Sequence, residues 1–133
     1  MKKIKIYTDG GSRGNPGKAA SAFIAVDEGK IVHSKSKYLG TKTNNEAEYN
    51  AIIMALSWAL KNEKRYIEIV SDSELVIKQI NKVYRINKPH LKALNETVNQ
   101  LTKGKNISFS NQRREDKFIS MADYLVNKEL DKN

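Results

Sequence analysis

The feature that most constrains this chain is the order in which its hydrophobic period changes along the sequence. Three strand-like runs come first, Ile4 to Asp9, Ala19 to Val26 and Ile31 to Leu39. The first two are separated by Gly10-Gly11-Ser12-Arg13-Gly14-Asn15-Pro16-Gly17, a turn-forming stretch, and the second and third by the hairpin turn Asp27-Glu28-Gly29-Lys30. An antiparallel meander therefore opens the fold. From Asn44 to Asn62 the period becomes helical, with Thr43 or Asn44 as N-cap and Ala47, Ala51, Ala55, Leu56 and Ala59 as an apolar stripe. Arg65 to Ser71 reads as a strand, and Ser73 caps a helix to about Lys82. Pro89 opens another helix to about Lys103, closed by Gly104. Ile107 to Ser110 is the last strand and Ile119 to Leu130 the last helix. The order βββ-α-β-α-α-β-α predicts an α/β fold with helices packed on a mixed sheet.

At 133 residues and 39% hydrophobic, the chain suits one domain, 1–133, around one core. There are no repeats or low-complexity linkers. No apolar run approaches the roughly 18 residues of a membrane span, so no membrane partner is expected. Met1-Lys2-Lys3 leads into an alternating strand rather than a secretory signal, which points to the cytoplasm. Cysteine is absent, so any metal must be held by oxygen or imidazole. His33 and His90 have no partner at ligand spacing, which argues against zinc and for structural or surface roles. The net charge of +9, from 24 basic and 15 acidic residues, suggests attraction to a polyanion but needs a site to become specific.

Carboxylates supply candidates for that site. Asp9 and Asp72 each follow a predicted strand and precede a turn. If those strands are parallel neighbours, both side chains emerge at one sheet edge, where open α/β sheets bind ligands. One such aspartate is better explained as a turn starter or cap, and two in matching places weaken that account. Glu48 shares the helix stripe of Ala51, Ile52, Ala55 and Ala59, so it turns toward the sheet and needs a cation or donor there. Glu46 lies with Asn50, Ile53 and Ser57 and reads as a first-turn acid complementing the helix dipole. Asp123 is read as opening the last helix. Together Asp9, Glu48, Asp72 and Asp123 make a donor set suited to magnesium.

Thr8-Asp9-Gly10-Gly11-Ser12 with Gly14-Asn15-Pro16-Gly17, then Thr43-Asn44-Asn45 before Glu48, then Ser71-Asp72-Ser73 and Ala122-Asp123, resemble the ordered motifs of ribonuclease H type 1. The match spans nearly the whole chain. The resemblance implies a ribonuclease H-like fold, a mixed five-stranded sheet of three antiparallel then two parallel strands, with helices on both faces. It implies an endoribonuclease that hydrolyses the RNA strand of RNA/DNA hybrids, leaving 5′-phosphate and 3′-hydroxyl ends. Two magnesium ions per site, with manganese as a substitute, would be held by Asp9, Glu48, Asp72 and Asp123, Asp9 bridging them. Gly10, Gly11, Ser12, Gly14, Asn15, Asn44 and Asn45 would meet 2′-hydroxyls and minor-groove edges, and Thr43 a DNA-strand phosphate. A turn at Asn15-Pro16-Gly17 and a helix cap at Thr43-Asn44 are compatible with those roles.

The chain departs from the family pattern in the loop before the last helix. Many members carry a histidine there, whereas this loop reads Asn111-Gln112-Arg113-Arg114-Glu115-Asp116-Lys117, and Arg114-Glu115 resembles the arginine-containing loop of other branches. Phe118-Ile119-Ser120-Met121 lacks an asparagine often found before the Ala-Asp pair, and Glu74 stands where some relatives have glutamine. The short Asn81 to Pro89 connection has no tryptophan-rich basic insertion, and no hybrid-binding domain is expected before Met1, so hybrid binding should be weak and salt-sensitive. Some of the basic residues Lys78, Lys82, Arg85, Lys88 and Lys92 would contact phosphate nonspecifically, with none assigned individually. No obligate protein partner is expected, and a monomer is the default. Two rivals stay open, a feebly active nucleic-acid-binding module and a polynucleotidyl transferase acting on DNA, and Asn15, Asn44 and Asn45 weigh against the second.

Overall fold

In the computed structural model, which describes residues 3–133, β1 (Lys3–Gly14) pairs antiparallel with β2 (Gly17–Asp27), and β2 pairs antiparallel with β3 (Lys30–Lys42). Met1 and Lys2, expected only to lead into the first strand, lie outside the described residues. Helix α1 (Asn44–Lys61) follows, then β4 (Tyr66–Ser71), α2 (Glu74–Ile80), α3 (Pro89–Thr102), β5 (Asn106–Asn111) and α4 (Lys117–Lys132). β4 pairs parallel with β1 and with β5, giving one sheet in the order β3-β2-β1-β4-β5. The five-stranded mixed α/β sheet expected from the element order is present.

Two cores flank the sheet, as strand period requires. Ile4, Ile6, Phe23, Ala25, Ile67 and Ile69 face α1, α2 and α3, whereas Tyr7, Ile24, Val26 and Val70 face Ile119 and Ala122 of α4. β2 is buried throughout Ala19–Val26, and its small Ala20 and Ala22 let Val126 and Leu130 of α4 pack closely. Among the described residues no helix is long and apolar enough to cross a membrane.

Three boundaries differ from expectation, each for a local reason. The Gly10–Gly17 stretch is mostly ladder: pairs run from Gly10↔Ser21 to Gly14↔Gly17, leaving only Asn15 and Pro16 as the turn. Gly17 serves close packing, since a Cβ there would sit 2.2 Å from the Arg13 carbonyl oxygen. Helix α4 begins at Lys117, because Asp116 caps it by accepting from the backbone N–H groups of Phe118 (2.9 Å) and Ile119 (3.1 Å). Asp123 therefore sits in the second turn and does not open the helix. Helix α2 stops at Ile80, and Lys82 beyond it has φ +63°.

Thr43 is the cap of α1, and Glu46 completes a capping box. The Glu46 N–H donates to Thr43 Oγ1 (3.2 Å), and the Thr43 N–H donates to Glu46 Oε1 (2.9 Å). Glu46 thus acts by this reciprocal bond rather than through the dipole alone, and its carboxyl is held below its ordinary pKa chiefly by the Thr43 backbone bond.

Candidate active site

The parallel pairing of β1 with β4 ends at Thr8↔Ser71, so Asp9 and Asp72 leave the shared edge side by side. This is the juxtaposition that matching strand ends implied, although β1 itself continues past Asp9 with only β2 as its partner. Thr8 braces the edge by donating its hydroxyl to the Val70 carbonyl (3.1 Å).

Glu48 reaches the same edge because Gly10 has no side chain. A Cβ on Gly10 would lie 2.2 Å from the Ala47 carbonyl carbon and 2.5 Å from the Glu48 nitrogen. The backbones of β1 and α1 therefore touch, and the Gly10 N–H donates to Glu48 Oε1. Ser21 Oγ ties the same turn of α1 to β2 by donating to the Ala47 carbonyl (2.6 Å).

One carboxylate oxygen each from Asp9, Glu48 and Asp72 lies within 4.8 Å of the others. Asp123 arrives from α4 on the opposite layer, near enough to Asp9 to raise its carboxyl, and lines the same cavity of about 170 Å³. The four predicted carboxylates are thus brought together by β1, α1, the end of β4, and α4. Burial, then the charges of Asp72 and Asp123, pushes the Asp9 carboxyl up to about 8. Burial first, and then Asp9 and Asp72, raises Glu48 as well, against the Gly10 bond and Arg114, which lower it.

Arg114 is the counter-charge. Its Nε lies 3.5 Å from Asp72 Oδ2, with Arg114 largely exposed, so this is a long contact across the cavity mouth rather than a tight pair. Glu115 is exposed and is not among the residues lining the cavity. Glu74, which stands where some relatives have glutamine, pairs with Lys78 at 2.6 Å.

Gly10, Gly11, Ser12 and Asn44 line the cavity, whereas Gly14, Asn15, Thr43 and Asn45 stand outside it. Asn15 and Asn44 clamp hairpin to helix: the Asn44 N–H donates to Asn15 Oδ1 (2.9 Å), and the Ser12 N–H donates to Asn44 Oδ1 (3.2 Å). The buried Ser12 hydroxyl has no partner within the described structure. Sequence reasoning missed Arg13, Val126, Asn127 and Leu130, which also line the cavity. Helical spacing from Asp123 was a usable signal for Asn127 and Leu130. Arg13 carried none, and its Nη2 donates to Asp131 Oδ1 (2.6 Å) and the Asn127 carbonyl (3.3 Å), pinning the hairpin to α4.

Comparison with known proteins agrees with this geometry. A family model for RNase H matches residues 1–124. LC11-RNase H1, isolated from compost by a metagenomic approach, is 40% identical with a TM-score of 0.91 over 99% of this chain and 98% of that one. The crystal structure of LC11-RNase H1 in complex with RNA/DNA hybrid superposes with a TM-score of 0.89 at 38% identity, covering 97% of each chain. Ribonuclease HI of Halobacterium salinarum is 39% identical over 103 residues, 77% of this chain. The chain matches about half the length of that relative, 52%, and a quarter, 25%, of the bifunctional protein Rv2228c of Mycobacterium tuberculosis. The acidic edge, the glycine contact that carries Glu48 to it and these matches lead to one conclusion: the chain belongs to the ribonuclease H family, in its type 1 branch.

Proposed function

We propose that this chain, as a single domain over residues 1–133, is an endoribonuclease that hydrolyses the RNA strand of RNA/DNA hybrids and leaves 5′-phosphate and 3′-hydroxyl ends. The observation that carries the reading is the meeting of Asp9, Glu48 and Asp72 within 4.8 Å, with Asp123 lining the same cavity. A cluster of buried carboxylates this dense is costly unless cations offset it, and the raised Asp9 and Glu48 groups express that cost. An all-oxygen donor set fits two magnesium ions, with manganese as a substitute, held by Asp9, Glu48, Asp72 and Asp123. Bound there, the ions would supply Lewis acidity, an acidified water and charge neutralisation at the leaving oxygen.

The chain's own groups prepare that chemistry. Asp9 and Glu48 would be ionised when cations are held there, and the Gly10 N–H orients Glu48 at the cluster. Arg114 holds a positive charge at the cavity mouth, where the family's histidine would otherwise stand, and offsets charge on a cleaved phosphate. Ser12 and Asn44 line the cavity and would meet 2′-hydroxyls; Gly10, Gly11 and Gly14 let the RNA backbone approach; Asn15 and Asn45 offer amides to base edges. Thr43, at the cap of α1, suits a DNA-strand phosphate. Hybrid bound to a relative of nearly equal length supports the substrate class. The same reading has the chain acting as a cytoplasmic monomer.

The test is incubation with labelled RNA/DNA hybrid, double-stranded RNA and DNA duplex, with and without magnesium. Cutting of the hybrid's RNA strand, dependent on magnesium and lost in Asp72→Asn, is the expected result. Retained binding without cutting would instead favour a feeble binding module. The specific observation behind that second reading is Arg114 standing 3.5 Å from Asp72, where it competes with a cation.

A further inference from the structure

A second charged surface lies outside the acidic cavity. β3 is the edge strand of the sheet, and between it and the outer side of α1 runs an open trough of about 430 Å³. Its floor is aromatic: His33 stacks on Trp58 with ring centroids 5.0 Å apart and planes 6° from parallel, and Phe23 lies 5.8 and 5.9 Å from the two. Its walls are basic. Lys35 and Lys37 project from β3 and Lys61 from the last turn of α1, and no acidic side chain lines the trough. Among the described residues no ion pair engages these three lysines.

β3 ends at Lys42 and α1 starts at Asn44, so the two walls converge on Thr43. The trough begins roughly 10 Å along α1 from that junction and runs beside the helix from Asn50 to Lys61, about 16 Å at the helical rise. Unpaired lysines beside stacked rings suit single-stranded nucleic acid: the ammonium groups follow phosphates, and the ring platform meets bases. An acidic peptide would satisfy the lysines, but its carboxylates have no face to stack on rings.

We propose that the β3–α1 trough binds unpaired DNA that continues beyond the end of the hybrid, with Lys35, Lys37 and Lys61 on its phosphates and the exposed His33 ring against a base. This rests on the hybrid-nuclease reading and extends it to a preferred substrate, a hybrid bearing a single-stranded DNA extension. The trough then supplies grip distant from the acidic cavity and from the basic residues of α2 and α3.

The test measures binding of the full chain, in calcium to prevent turnover, to a blunt hybrid and to the same hybrid with a 5′ or a 3′ single-stranded DNA extension. Binding of the unattached single strand is measured alongside. One extended hybrid should bind more tightly than the blunt one, and its salt slope should be steeper by about 2, from roughly 0.7 per phosphate for three phosphates. A fourfold rise in salt should then shrink that advantage roughly 20-fold. K35A/K37A/K61A should erase the advantage and leave blunt-hybrid affinity and cleavage unchanged. His33→Ala should lower extended-hybrid affinity without changing the slope. Equal binding of blunt and extended hybrids overturns the proposal, as does a triple variant that weakens both alike, or an acidic peptide that binds the trough while extensions do nothing. If the blunt hybrid is neither bound nor cut, the nuclease reading fails instead, and binding of the free single strand, lost in the triple variant, still decides the trough.

Discussion

Replacing Gly10 with alanine tests the contact that brings Glu48 to Asp9. The new Cβ would stand 2.2 Å from the Ala47 carbonyl carbon, against an ordinary contact of at least 3.4 Å, so the first turns of α1 must retreat by about 1.2 Å. The obstacle is backbone, which no rotamer change relieves. Overpacking of this kind costs roughly 1–3 kcal/mol, and loss of the Gly10 bond to a buried carboxylate adds about 1–3 kcal/mol. A total near 4 kcal/mol, divided by an unfolding entropy of roughly 0.28 kcal/mol/K for 133 residues, lowers Tm by about 14 °C. Glu48 moves with the helix, and a displacement near 1 Å costs about 100-fold in cleavage rate. Gly11→Ala is the control, because its Cβ would meet only Val126 Cγ1 at 3.6 Å and Asn44 Oδ1 at 3.8 Å. Its stability should stay within about 0.5 kcal/mol of the original. Thermal unfolding by circular dichroism and single-turnover cleavage measure both effects. An unchanged Tm for Gly10→Ala, or an equal fall for Gly11→Ala, refutes the argument.

Other consequences follow from the same geometry. Asp9 titrates near 8 and Glu48 is also raised, whereas both groups titrate near 4 in the unfolded chain. The folded chain then binds more protons between about pH 4 and pH 8, so its stability in chelator falls as pH rises through that window. Tm measured in chelator from about pH 5 to about pH 9 checks this, and a flat profile rejects it. Asp9→Asn removes part of the repulsion, so it should raise Tm in chelator at pH 8 while abolishing hybrid cleavage; a lower Tm counts against the repulsion account. Arg114→Ala should reduce kcat roughly 10- to 100-fold with little change in KM, because the arginine faces the reacting edge and not the hairpin. A change in KM alone would place Arg114 in binding instead. Thr43→Ala breaks one half of the capping box and should cost about 1 kcal/mol, or roughly 4 °C in Tm.

The local signals that proved readable were those contained within a few residues. Ser73 and Pro89 marked helix starts because a cap hydroxyl and a ring without an N–H act on their own turn. The signal at Asp116 was equally local, but it lay inside the charged run Arg113–Lys117 and gave way to the apolar spacing from Ile119, which placed Asp123 in the wrong turn of α4. The hairpin was misjudged differently. Glycines at 10, 11, 14 and 17 signal a turn when read alone, yet Gly10 and Gly17 are there because other backbone comes within 2.2 Å. Arg13 escaped notice for a similar reason, since its partner Asp131 is 118 residues away.

The sequence by itself determined the order of elements, the two-sided burial of the sheet and which acids were candidates, because periods of 2 and 3.6 and the motifs around Asp9, Glu48, Asp72 and Asp123 are written in neighbouring residues. Tertiary structure alone decided that three of those carboxylates lie within 4.8 Å, that Asp9 is held near 8, and that a lysine-walled trough opens beside α1. Desolvation and electrostatic repulsion depend on which distant groups share a volume, and no window of sequence contains that volume.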